Sequence, residues 1–181
     1  METRHIVTYK PTKYMTQPFY RYCGIFQIMT ILESRFWLQK WHKEFFTWFT
    51  KFTWFTLPNQ LVKKFNELWL SASFLNKEHF TIESVKHYLN NDKNIVLLTG
   101  HGYKTKWDSF NPLKAFFGQH YISIWGYDNI KKGFYIYDSS IKQTKINRSL
   151  PIGNMFLPEY IMRKALARAW WWLMRDVIIV V

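Results

Sequence analysis

Residues 23–34 read CGIFQIMTILES, and apolar side chains point in nearly every helical direction: Ile25, Phe26, Ile28, Met29, Ile31 and Leu32 are interrupted only by Gln27 and Thr30. A helix with one apolar stripe lies on a core, whereas a helix that is apolar all round has to be wrapped by other elements. The stretch therefore predicts a central buried helix, and the rest of the chain has to supply its shell. Cys23, the only cysteine in 181 residues, falls in the first turn of that helix. A lone cysteine is most often a small core residue. A helix N-terminus, however, carries partial positive charge and free N–H groups, the conditions that stabilise a thiolate.

Candidate shell elements follow in order. FTWFTKFTWFT, residues 46–56, is a small duplication in which Trp48, Phe49, Phe52 and Phe55 share one helical face, a pattern that favours core packing over a membrane- or substrate-facing surface. Pro58 ends it, and Asn59 is placed to cap a helix whose stripe is Leu61, Val62, Phe65, Leu68 and Trp69. Thr81 starts a short helix that Asn90 and Asn91 close. NIVLLTG reads as a buried strand, and QHYISIWGYD and GFYIYDSS as an antiparallel pair joined by NIKKG. IKQTKINRS is expected to add another strand and the C-terminal VIIVV to close the sheet. Helices first and an antiparallel sheet afterwards make an α+β arrangement. The expectation is one domain over residues 1–181, helical from about 15 to 92 and sheet from about 93 to 181.

Composition narrows the function classes. With 48% hydrophobic and 20% aromatic residues the chain is a folding sequence and not a disordered one. Twenty-five Lys and Arg against 12 acids give a formal charge of +13, which favours weak, non-specific contact with an anionic surface. The cations are thinly spread, with VKK, IKK and MRKALARA the nearest to clusters, so no nucleic-acid arm is indicated. No run reaches the length of a membrane span and no signal peptide is recognisable at the start, which leaves the cytoplasm or export by a leaderless route. A single cysteine cannot form an internal disulfide and does not decide the compartment. No glycine-rich phosphate loop or metal-spaced Cys/His set is present, so no cofactor and no metal are expected.

The chemistry-bearing residues stand in a suggestive order. A cysteine nucleophile needs a base for its proton, an orienting group for the base and donors for the oxyanion. Gln17 lies six residues before Cys23, His120 opens the strand HYISIWGYD, and Asp138 ends the strand GFYIYD. Antiparallel pairing would bring His120 and Asp138 to one rim. His101, between glycines in TGHGY, is the rival base.

Gln17 with CGIFQIMTIL, FTIESVKHYLNNDKNIVLL, GQHYISIWGYD and GFYIYDSS together resemble the papain-like cysteine peptidases, in particular the branch of bacteriocin-leader-processing (double-glycine leader) peptidases. The resemblance runs over roughly residues 15 to 140. It implies a papain-like fold with Cys23 as nucleophile, His120 as base, Asp138 as its orienting acid and Gln17 as oxyanion donor. The substrate is then a peptide or other amide, cut through a thioester. His101, Gly102 and Trp125 are the residues expected to contact it. Where many relatives read Asp-Pro after the strand, this chain has Asp138-Ser139. The same apparatus also serves deamidases, transglutaminases and acyltransferases. The competing reading is a non-catalytic papain-like module, basic and aromatic-rich, that binds an acidic partner, nucleic acid or a membrane surface.

Overall fold

The all-round apolar stretch forms helix α1 over Cys23–Phe36, and every residue from Cys23 to Ser34 is buried. In the computed structural model, residues 3–18, 22–36, 58–75, 81–100, 119–168 and 177–180 are described. The aromatic duplication at 46–56 lies outside them. Helix α1 packs against an antiparallel sheet whose longest strand is β4, Gln119–Asp128. This is the α+β architecture that the sequence implies.

The sheet is built on β4. Strand β3 (Asn94–Gly100) pairs with it antiparallel, Leu97 opposite Ile122. Strand β5 (Gly133–Tyr137) pairs on the other side through the short turn at 129–132, as read from the sequence. The register of that pair slips between Ile124 and Gly126. A bare glycine is required there, because a Cβ at Gly126 would meet the His5 carbonyl oxygen at 2.5 Å. The close neighbour is β1 (Arg4–Ile6), which pairs with the end of β4, while His5 Nε2 bonds the Leu89 carbonyl at 2.8 Å. The N-terminal segment, unreadable in the sequence, is thus a strand of the sheet.

Two helices form for the reasons their sequences give, with one shift. Helix α2 spans Pro58–Glu67, so Pro58 starts this helix. Proline is tolerated there because the first-turn N–H has no helical partner in any case. Asn59 sits inside the first turn, and its Oδ1 accepts from the Gln60 N–H. The expected stripe also ends early. Trp69 takes the left-handed conformation (φ 64°) beyond the helix and is 91% exposed, so burial falls to Leu61 and Phe65. Helix α3 (Ile82–Asn90) has Thr81 as N-cap in a reciprocal capping box with Ser84.

The expected division into helices and then strands is not strict. Strand β2 (Ala72–Leu75) lies before residue 93, and helix α4 (Glu159–Arg168) lies after it. The VIIVV stretch does form a strand, β7 (Val177–Val180), but it pairs with both β2 and β3 and leaves the edge to β2. IKQTKINRS is not a strand: it holds a short 3-10 turn at Gln143–Lys145. Ile141 and Ile146 are an odd number of residues apart, so an extended chain would point them to opposite faces and offer no apolar side to a core. The sheet is instead completed by β6 (Met155–Pro158) against β5, giving the order β2-β7-β3-β4-β5-β6 with β1 beside β4.

Candidate active site

Antiparallel pairing puts the start of β4 beside the end of β5, with Ser123 opposite Tyr137. His120 and Asp138 meet at that rim. His120 Nε2 and Asp138 Oδ1 are 2.7 Å apart, and both residues are buried. The same carboxylate oxygen accepts from the Ser140 N–H at 2.8 Å and the Ser140 hydroxyl at 2.7 Å. Asn154 fixes the Asp138 backbone on both sides: the Asp138 N–H donates to Asn154 Oδ1 at 2.9 Å, and Asn154 Nδ2 donates to the Asp138 carbonyl at 2.8 Å. A buried carboxylate so fully bonded has little freedom to turn from the imidazole.

The nucleophile candidate arrives from the other layer. Gln27, fully buried in α1, donates from Nε2 to the Tyr121 carbonyl at 3.0 Å, which ties α1 to β4 one residue past His120. Cys23 lies four residues before Gln27, on the same helical face. It is 7% exposed and hydrogen-bonds the His120 ring. Since Nε2 faces Asp138, that contact belongs to Nδ1. Burial alone would push the His120 imidazole down, but the hydrogen bonds to Asp138 and Cys23 outweigh it and raise the pKa to about 9. The ring is therefore favoured as an imidazolium between a carboxylate and a sulfur.

Gln17 joins the group through the residue after Asp138. Its N–H donates to the Ser139 carbonyl at 2.8 Å, and its Oε1 accepts from the buried Ser139 hydroxyl at 2.5 Å. That bond turns the amide nitrogen away from Ser139. Segment 14–17 runs on beside 139–143, with the Thr16 hydroxyl on the Ile141 carbonyl (2.7 Å) and Gln143 Nε2 on the Tyr14 carbonyl (2.6 Å).

Four of the residues singled out in the sequence thus lie in one connected group: Cys23, His120, Asp138 and, through Ser139, Gln17. Trp125 does not join them. It is fully buried in the core, with its indole N–H on Ser123 Oγ at 2.7 Å, so its place is in the packing and not on a surface that a substrate touches. His101 and Gly102 lie outside the described residues. Sequence reasoning missed Gln27, Ser139, Ser140 and Asn154. Gln27 stood out only as an interruption, and Ser139 only as a departure from Asp-Pro. A proline has no hydroxyl, and here the serine uses one on Gln17. Among the described residues no group of three or more His, Cys, Asp or Glu side chains is gathered as a metal site.

A scan against family models matches residues 27–167, well over half of the 181, to the Peptidase_C39 like family. The chain belongs to that family. Membership assigns it to the papain-like cysteine peptidase superfamily, in agreement with a helix packed on an antiparallel sheet. The matched stretch holds His120 and Asp138, while Gln17 and Cys23 stand just ahead of it. Among solved structures the chain is similar to a crystal structure of a candidate C39-like peptidase from Bacillus anthracis, with 16% identity and a TM-score of 0.44. That similarity covers 67% of this chain and 56% of the other, so this chain spans a little over half of that relative's length. No curated protein matches.

Proposed function

We propose that this family member is a thiol hydrolase that cleaves a peptide or other amide bond with Cys23, His120, Asp138 and Gln17. The observation that carries the reading is the His120 ring, buried, with Asp138 at 2.7 Å from Nε2 and Cys23 as its other partner. Cys23, as thiolate, attacks the carbonyl carbon and forms the C–S bond. The oxygen that becomes negative is met by the Gln17 amide and the Cys23 backbone N–H. His120 Nδ1 gives its proton to the leaving nitrogen, the C–N bond breaks, and a thioester remains. Water then attacks, giving its proton back to Nδ1. Collapse of this second intermediate breaks the C–S bond and releases the acid. Asp138 keeps the Nε2–H in place and stabilises the ring's charge throughout. An amine in place of water would make the same intermediate an acyl transfer.

The intermediate gives the test. Wild-type protein incubated with a mixed peptide library and quenched in acid should carry acyl adducts on Cys23, read by intact mass and peptide mapping. Cys23→Ala should carry none and release no product, with its fold retained, since one small residue replaces another. Turnover that persists in Cys23→Ala contradicts the reading. So does a wild type that never acylates with any member of the library.

A further inference from the structure

The rim beside this site carries an unbalanced charge. Lys13, Lys142, Lys145 and Arg148 are all exposed, and neither 10–18 nor 139–154 contains an acid; the acids that adjoin them, Asp138 and Glu33, are buried, Glu33 accepting from the Thr12 N–H and hydroxyl. The two segments are one surface: Gln17 bonds Ser139, Thr16 bonds Ile141 and Tyr14 bonds Gln143, and Lys13 is the chain neighbour of Tyr14, as Lys142 is of Gln143. Three cations on helices find acids within one helical turn, Lys64 with Glu67, Lys86 with Glu83 and Arg163 with Glu159. Among the described residues none of the four rim cations forms an ion pair. A +13 composition scatters lysines, but it does not by itself clear the acids from two segments that meet only in the fold.

We propose that this rim binds an acidic stretch, Asp- or Glu-rich, of the peptide substrate and presents the neighbouring bond to Cys23. This rests on the hydrolase reading and names its substrate class. Exposed cations at the edge of a site recruit and orient an oppositely charged ligand more than they hold it, so affinity should be modest and salt-sensitive. The exposed loop also suits an extended peptide, whose carboxylates recur at every second residue along one side.

The β4–β5 hairpin supplies an internal control, because Lys131 and Lys132 are exposed at its opposite end. The probe is a fluorescein-labelled peptide of alternating Glu and Gly, followed by anisotropy between 50 and 200 mM salt. Lys142→Glu/Lys145→Glu should weaken binding about tenfold at the lower salt, while Lys131→Glu/Lys132→Glu, an equal change in net charge, should leave it within about twofold. Unlabelled peptide should slow iodoacetamide alkylation of Cys23 in wild type and in the Lys131/Lys132 variant, but not in the Lys142/Lys145 variant. Equal losses in both variants would overturn the proposal in favour of general charge. A single-stranded oligonucleotide or phosphatidylserine vesicles binding more tightly at this rim than the peptide would overturn it in favour of another partner class. The hydrolase reading is tested separately by the acyl adduct: an acylating Cys23 with no acidic preference sinks only the rim.

Discussion

Two buried aspartates end the two strands of one hairpin, each after a tyrosine, and they do different work. Tyr127-Asp128 closes β4 at the turn, where Asp128 accepts from the Ile130 and Lys131 N–H groups (3.0 and 2.9 Å) and the Tyr135 hydroxyl (2.9 Å). All the partners of its carboxylate lie within seven residues. Burial pushes its carboxyl up, but these donors outweigh burial and hold it below the usual range. Tyr137-Asp138 ends β5 at the opposite rim, and its carboxylate also bonds a local donor, Ser140, yet reaches a histidine 18 residues away at the same 2.7 Å as the Ser140 hydroxyl. The first arrangement folds a turn. The second binds a titratable ring that also touches the only thiol in the chain. Local sequence does not distinguish them; the direction in which the hairpin brings distant residues together does.

Substitutions at the two ends should separate activity from stability. The largest effect is expected at the Asp138 end, where His120→Ala should remove turnover by the 10²–10⁴-fold typical of a general acid–base group, about as completely as the chemistry allows. Asp138→Asn should lose less, because an amide still orients the ring without stabilising its charge. Steady-state kinetics on a peptide that acylates Cys23 will rank the two. Gln17→Ala should lower kcat by about 10²–10³ with KM nearly unchanged, as for one lost oxyanion donor. Ser139→Ala should lose about tenfold in kcat, and nothing further when added to Gln17→Ala, since the hydroxyl acts only through that amide. Independent, additive losses would remove Ser139 from this role.

Stability should respond to pH at the same end. The folded pKa of His120, about 9, stands above its ordinary 6.5. The imidazolium contribution is therefore complete below about pH 6.5 and is lost as pH rises through about 9. Thermal midpoints should fall across that window in wild type and flatten in Asp138→Asn. A wild-type midpoint that rises instead contradicts a raised pKa. The smallest effect on chemistry belongs to the turn: Asp128→Asn should cost about 1–3 kcal/mol of folding stability, for weakened bonds to a charged acceptor, and leave kcat unchanged. Urea unfolding beside turnover will show whether the two ends separate in this way.

Much of this was legible in the residues, and most of the failures share a cause. The all-round apolar run gave α1, Thr81 and the Asn90-Asn91 pair gave the ends of α3, and the period-two strands around NIKKG gave the hairpin that gathers His120 and Asp138. Those signals are local. What depends on long-range pairing was not readable: β1 against β4, β7 inside the sheet, and Trp125 in the core. The supports of the site share that character. Ser139 to Gln17 spans 122 residues and Gln27 to Tyr121 spans 94, so neither serine nor glutamine shows its partner in its own neighbourhood. Trp69 failed for the opposite reason, because a left-handed residue ended the helix before the stripe could include it.

Iodoacetamide alkylation of Cys23 from pH 4 to 9, in wild type and His120→Ala, tests most directly whether the buried ring and the thiol act as a pair. Wild type should react well below pH 8, in the range where an imidazolium partner sustains the thiolate. His120→Ala should lose that low-pH reactivity and respond only as alkali is approached. Two superimposable profiles would reduce Cys23 to a packing residue beside a structural histidine.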